Sequence, residues 1–171
     1  MGVPGCRIVN DDMSRTKRIV ISLASFVSLC AAPVAAQNRD TPYWASIDTT
    51  ELNMRVGPGR DYQIEWVYER EGLPLKVLRV QEGWRYVRDP DGEEGWVAAS
   101  LIRDTRPGAF VAGEGLAPMR DSPADSAALR WNLEPGVVGL LGDCSAGWCE
   151  LSVGKRVGFV PQSRLWGAGE P

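Results

Sequence analysis

The run Met54-Arg55-Val56-Gly57-Pro58-Gly59, followed some forty residues on by Gly95-Trp96-Val97, recurs later in the chain as Met119-Arg120 with Pro123 and then Gly158-Phe159-Val160. A frame repeated at near-constant spacing marks tandem structural units, so the chain must fold as one small unit made twice. Between the two frames, Trp131, Leu133, Pro135-Gly136, Val137 to Leu141 and Gly147-Trp148 track Trp66, Tyr68, Gly72, the Leu75 to Arg79 segment and Gly83-Trp84. The offset stays between 65 and 62, so the insertions are one or two residues and fall in turns.

The local pattern is β throughout. Tyr43 to Ile47, Leu52 to Val56 and Ile64 to Tyr68 read as short strands, and Leu73, Leu75 and Val77 alternate with Pro74, Lys76 and Leu78 at period two. Trp84 to Arg88 is the antiparallel return after the Glu82-Gly83 turn. Asp89-Pro90-Asp91-Gly92 is a second turn, with proline pre-set at an inner position and glycine free to take positive φ. The alternation sends Val77, Val87 and Val97 into the core, and Ala98 to Leu101 suits one helical turn. No segment has the length and period of a long helix, so the fold class is all-β. The predicted layout is a polar tail at 37–42, a first unit at 43–102, a polar connector at 103–108, a second, divergent unit at 109–166, and a tail at 167–171. Units of 50 to 60 residues bury only about 60% of their unfolded surface, so the two are expected to pack side by side.

Residues 1–36 read as a leader for export. Lys17 and Arg18 give a positive n-region, Ile19 to Val27 the apolar segment, and Val34-Ala35-Ala36 a small-residue cleavage site before Gln37. Met13 fits a compact n-region better than Met1. A membrane anchor is the weaker reading, because the stretch falls short of the roughly 20 apolar residues a span needs and is broken by Pro33. Leu29 occupies the lipobox position that normally holds a small residue, which argues against lipidation of Cys30. The expectation is a periplasmic protein with no membrane span after cleavage.

Without the four basic and two acidic residues of the leader, 15 Lys+Arg and 20 Asp+Glu remain, a net charge of −5. Nucleic acids and anionic membrane surfaces select basic patches, so neither is expected as a partner. The 171 residues contain no histidine. Zinc amidases, papain-like peptidases and Ser-His-Asp hydrolases are thereby excluded in their ordinary forms. Carboxylate-pair glycosidases need no histidine, but a tight, turn-rich unit of this size offers no deep cleft. The expectation is no enzyme, no cofactor and no metal.

The order Arg55-Val56-Gly57-Pro58-Gly59-Arg60-Asp61-Tyr62, Trp66-Val67-Tyr68, Gly72-Leu73-Pro74, Gly83-Trp84-Arg85, Asp91-Gly92, Gly95-Trp96-Val97 resembles the bacterial SH3-like domains, in the tandem envelope type of alphaproteobacteria. The likeness covers roughly residues 43 to 166. It implies a pair of five-stranded, partly open barrels, exported and used to hold peptidoglycan or protein peptides. Gly158-Phe159-Val160-Pro161-Gln162-Ser163-Arg164-Leu165 also resembles the closing segment of eukaryotic SH3 domains. Arg164 stands in place of the groove tyrosine there, and Ala98 replaces the proline in copy one. Proline-helix recognition of the eukaryotic kind is therefore not expected.

Candidate binding residues follow from turn positions. Trp84 and Trp148 each come directly after a turn glycine and are the tryptophans best placed for the surface, whereas the other five suit core or inter-unit packing. Gly57-Pro58-Gly59 lacks the lysine and following helix of a phosphate loop. Beside it, Asp61 and Tyr62 are expected on the rim of a groove shared with Trp84, offering an acceptor and an amphipathic ring to a wall peptide or glycan. Copy two has Asp121-Ser122-Pro123-Ala124-Asp125 there and no aromatic, so the copies should not bind one ligand equally. An adaptor that contacts envelope proteins is the rival reading. Cys144 and Cys149 bracket the second-copy turn and are expected to form a disulfide in an oxidising compartment. Val80 and Arg85 hold the matching places in copy one.

Overall fold

The computed structural model describes residues 40–105 and 107–171. The leader expected at residues 1–36 lies outside the described residues. Within them no helix is long and apolar enough to cross a membrane.

The first copy runs through β1 (Tyr43–Ile47), β2 (Leu52–Arg55), β3 (Ile64–Tyr68), β4 (Pro74–Gln81), β5 (Trp84–Arg88), β6 (Glu94–Ala98), a 3-10 turn at Ala99–Leu101, and β7 (Ile102–Arg103). The second runs through β8 (Gly108–Val111), β9 (Ala117–Arg120), β10 (Leu129–Leu133), β11 (Val138–Ser145), β12 (Trp148–Val153), β13 (Arg156–Pro161), a 3-10 turn at Gln162–Arg164, and β14 (Leu165–Trp166). Each copy is one antiparallel sheet, ordered β3-β2-β6-β5-β4-β1-β7 and β10-β9-β13-β12-β11-β8-β14, so the two match strand for strand. The sheets are open, as the resemblance implies, and seven-stranded where it implies five strands. The count rises because β2 and β3 pair as separate strands across the Gly57 loop and because the two-residue β7 returns to β1 through Ser46↔Arg103 and Ile47↔Ile102.

The repeated frame has a packing cause. Met54 and Met119 are buried, and each lies over a glycine of the neighbouring strand. A Cβ on Gly95 would fall 2.5 Å from Met54 Cγ, and one on Gly158 would fall 2.6 Å from Met119 Cγ. The next residue of each frame is also used alike. Arg55 Nη1 donates to Tyr62 O at 2.6 Å and Arg120 Nη1 to Ala127 O at 2.7 Å, each tying down a loop carbonyl seven residues on. Val77, Val87 and Val97 are fully buried with Leu52 and Leu75, as their alternation predicts.

The copies pack against each other. Phe110 and Val138 of the second lie on the first core. Trp44 and Trp166 meet edge to face at 4.6 Å between centroids, and Trp44 Nε1 donates to Gly169 O at 2.9 Å. Gly108 N donates to Ser46 Oγ at 2.7 Å, and a Cβ there would fall 1.9 Å from Gly72 O, so only glycine allows this approach. In the tail at 167–171, Gly167 is buried against Pro74 and the Gly108 carbonyl.

Candidate functional site

Trp84 opens β5 directly after the Glu82-Gly83 turn, and Glu82 itself takes a φ of 46° to make that turn. Across the ladder the residue facing Trp84 is Ala98. A methyl group cannot cover an indole, so Trp84 stays partly exposed and forms the apolar wall of a groove of about 350 Å³. Asn53, Arg55 and Arg60 line the groove together with Ser100 and Leu101 of the 3-10 turn. Arg60 is exposed and has no hydrogen-bond or ion-pair partner among the described residues. The groove thus combines one aromatic face with a free guanidinium, a second guanidinium tethered by the Tyr62 carbonyl, and neutral hydrogen-bonding groups from Asn53 and Ser100.

Asp61 and Tyr62 are exposed on the loop that carries Arg60, and neither lines the Trp84 groove itself. The Tyr62 ring lies flat on the glycines: a Cβ on Gly57 would fall 2.3 Å from the ring, and one on Gly59 would fall 3.1 Å from it. Neither glycine has positive φ. Their role is therefore to admit the ring rather than to permit an unusual backbone. Arg55 joins loop and groove, since it lines the groove and also holds the Tyr62 carbonyl.

The second copy does not reproduce this groove. Trp148, expected at the surface, is buried with only 9% of its area exposed. Its cross-strand neighbour is Pro161, where the first copy has Ala98. Arg164 takes the place of Leu101 and turns back on its own copy, donating to the carbonyls of Ala112, Glu114, Gly115 and Leu116. Next to Trp148, Cys144 and Cys149 face each other across the β11–β12 ladder and are joined by a disulfide. Ala146 and Gly147 beneath it have φ of 51° and 81°, as a tight two-residue hairpin requires.

Arg55, Arg60, Asn53 and Ser100 were not singled out from the sequence. Arg55 carried a signal in its place beside Met54, repeated at Met119-Arg120. Trp66 was also missed as a surface residue. It lies on the outer edge of the first sheet and is 53% exposed. Its neighbour Tyr68 is buried, and its hydroxyl donates to Asp89 Oδ2 at 2.9 Å. Burial, reinforced by the Asp89, Glu93 and Asp91 charges, pushes the Tyr68 phenol well above its usual value. Among the described residues no group of three or more His, Cys, Asp or Glu side chains is arranged to hold a metal ion.

The family described as bacterial SH3 domain matches the chain twice, at residues 48–104 and 113–167. The chain is also 25% identical over 134 residues to YrvJ of Bacillus subtilis, a protein assigned as an N-acetylmuramoyl-L-alanine amidase. That match covers 73% of this chain and 26% of YrvJ. Among solved structures, NlpC2 and NlpC1 of Trichomonas vaginalis align at 11% and 12% identity, both with a TM-score of 0.34, over 74% and 77% of this chain and 48% of each of theirs. An NlpC/P60 family protein from Bacillus cereus aligns at 9% identity with a TM-score of 0.32, over 72% of this chain and 55% of that one. The chain therefore spans about a quarter of the length of the curated relative and about half the length of these structures.

Proposed function

The chain belongs to the bacterial SH3 domain family, and on that premise we propose that it is an exported, non-enzymatic binding module for the cell wall, holding wall peptide or glycan in the Trp84 groove of its first copy. The observation that carries the reading is the pairing of a partly exposed indole with Arg60, which has no partner among the described residues, in a groove of about 350 Å³. An aromatic face packs on sugar rings or peptide side chains, and a guanidinium fork matches a carboxylate. The stem peptides of the wall offer both apolar side chains and free carboxylates, so the peptide portion suits this chemistry better than neutral glycan. Asp61 and Tyr62 sit on the loop that carries Arg60, outside the lining of the groove. The likeness to an assigned wall amidase supports a wall setting. The absence of histidine supports a role in attachment rather than cleavage.

Titration of the protein with soluble muropeptides by calorimetry tests this. Arg60→Glu should weaken binding by about tenfold or more, because one partner of a charge-assisted contact is replaced by a repelling charge. Unchanged affinity in Arg60→Glu, or preference for de-acidified muropeptides, contradicts carboxylate recognition at this groove.

A further inference from the structure

The outer edge of the first sheet is built unlike its counterpart in the second. β3 and β10 occupy equivalent edges, and each carries a tryptophan opposite the frame methionine, in the pairs Met54↔Trp66 and Met119↔Trp131. In the second copy the Arg156 guanidinium lies over the Trp131 ring at 5.7 Å, and Trp131 is half-buried. Arg156 stands five residues before Pro161. The residue five before the matching Ala98 is Glu93. The first copy thus carries the same aromatic ring with a carboxylate where the second copy has the cation.

The surroundings of Trp66 carry the same sign. It shares a groove of about 280 Å³ with Tyr68, Glu69, Asp91 and Phe110, the last supplied by the second copy. Asp89 at the base of the groove is fixed in place, accepting from the Tyr68 hydroxyl and from the backbone N–H groups of Asp91 and Glu93. Arg70, also at the groove, is drawn away to Gly136 O at 2.7 Å. The strongly raised Tyr68 phenol reflects this accumulated negative charge after burial. β3 itself has one paired side, toward β2, and its other side is an open edge. Ile64, Trp66 and Val67 are all exposed on it, and it contains no proline or lysine of the kind that protects edges from pairing.

We propose that the β3 edge docks an extended, basic segment of a partner protein, which adds as a strand and places an arginine or lysine over Trp66 beside Glu69, Asp91 and Glu93. The incoming cation takes the role that Arg156 performs within the second copy. Phe110 closes the groove, so the surface is complete only with the two copies docked. It shares no lining residue with the Trp84 groove and does not depend on the wall-binding reading.

The test uses ¹⁵N-labelled protein expressed from the whole chain and two capped peptides, Thr-Val-Arg-Val-Arg-Val-Thr and its counterpart with glutamate for arginine. The arginine peptide is expected to shift the amides of residues 64–68 and the Trp66 indole at millimolar concentration, and the glutamate peptide to leave them in place. Trp66→Ala should weaken the arginine peptide about tenfold, the size of one aromatic anchor. Glu93→Arg should weaken it by at least as much, by supplying the cation internally. It lies in a loop outside the strand, so it reports even if Trp66→Ala folds poorly. Equal binding of both peptides, no shift with the arginine peptide, or unaltered affinity in Glu93→Arg would each overturn the proposal.

Discussion

Replacing Gly95 with alanine tests whether the repeated frame is a packing device. The added Cβ would lie 2.5 Å from Met54 Cγ, 3.0 Å from its Sδ and 3.0 Å from the Arg55 carbonyl oxygen. Carbon atoms pack at about 4 Å, so Met54 Cγ must retreat by about 1.5 Å. Met54 is only 1% exposed, in one core cluster with Leu52, Tyr68 and Val97, so any retreat pushes on buried side chains. Overpacking of this kind costs about 1–3 kcal/mol, offset by about 0.5–1 kcal/mol because glycine is a poor strand residue. The net loss should be about 1–2 kcal/mol, read as a fall of roughly 0.5–1 M in the urea midpoint with the slope unchanged. Met54→Ala alone leaves a cavity and should cost about 2–5 kcal/mol. The double variant should be better than additive by about 1 kcal/mol, because the clashing Cγ and Sδ are gone. Gly158→Ala should cost more and be rescued less by Met119→Ala, since its Cβ would also stand 2.7 Å from the Arg120 carbonyl, which a side-chain change cannot move. Wild-type stability in Gly95→Ala, or strict additivity with Met54→Ala, refutes the reasoning.

Reduction of the Cys144–Cys149 disulfide, which closes a very short loop, should lower stability by about 2 kcal/mol, and peptide mapping without reductant should recover the linked pair. Free thiols at both positions in exported protein contradict it. Tyr68 has a folded pKa raised above its unfolded value, so its contribution is present below about pH 10 and is lost as pH rises beyond it, where only the unfolded chain ionises. Tyr68→Phe should flatten that alkaline decline and cost about 1 kcal/mol at neutral pH by leaving Asp89 without its hydroxyl donor, both measurable by urea titration at several pH values. The intact mass of the exported protein should correspond to residues 37–171, and recovery of residues 19–36 in a membrane fraction would favour an anchored form.

The features legible in the sequence are those set by local spacing. Val77, Val87 and Val97 follow from period-two alternation, and the Cys144–Cys149 bond from a hairpin placement that the second copy's turn makes plain. The tandem order was visible because Met54 needs Gly95 and Met119 needs Gly158, so each frame keeps both ends. The features that stayed hidden depend on residues brought together across strands. Trp84 and Trp148 have the same local setting, yet one is partly open and the other buried, and the difference lies in facing Ala98 or Pro161. Trp66 reads as an ordinary strand residue until the sheet order makes β3 an edge. Gly57 and Gly59 look like turn glycines, whereas the Tyr62 ring is what requires them. The 167–171 segment looks like a tail, and nothing in its composition announces that Gly169 accepts from Trp44.

Retention of the protein on purified, protein-free sacculi, measured as a binding isotherm for wild type, Trp84→Ala and Ala98→Pro, tests the wall-binding account most directly. Wild type should be retained. Trp84→Ala should bind about tenfold more weakly with its urea midpoint nearly unchanged, the size expected for losing one aromatic anchor from a partly exposed site. Ala98→Pro, which gives the first copy the cross-strand neighbour that accompanies the buried Trp148, should weaken retention similarly by closing the groove. No retention of wild type, or equal retention of all three folded proteins, would contradict the account.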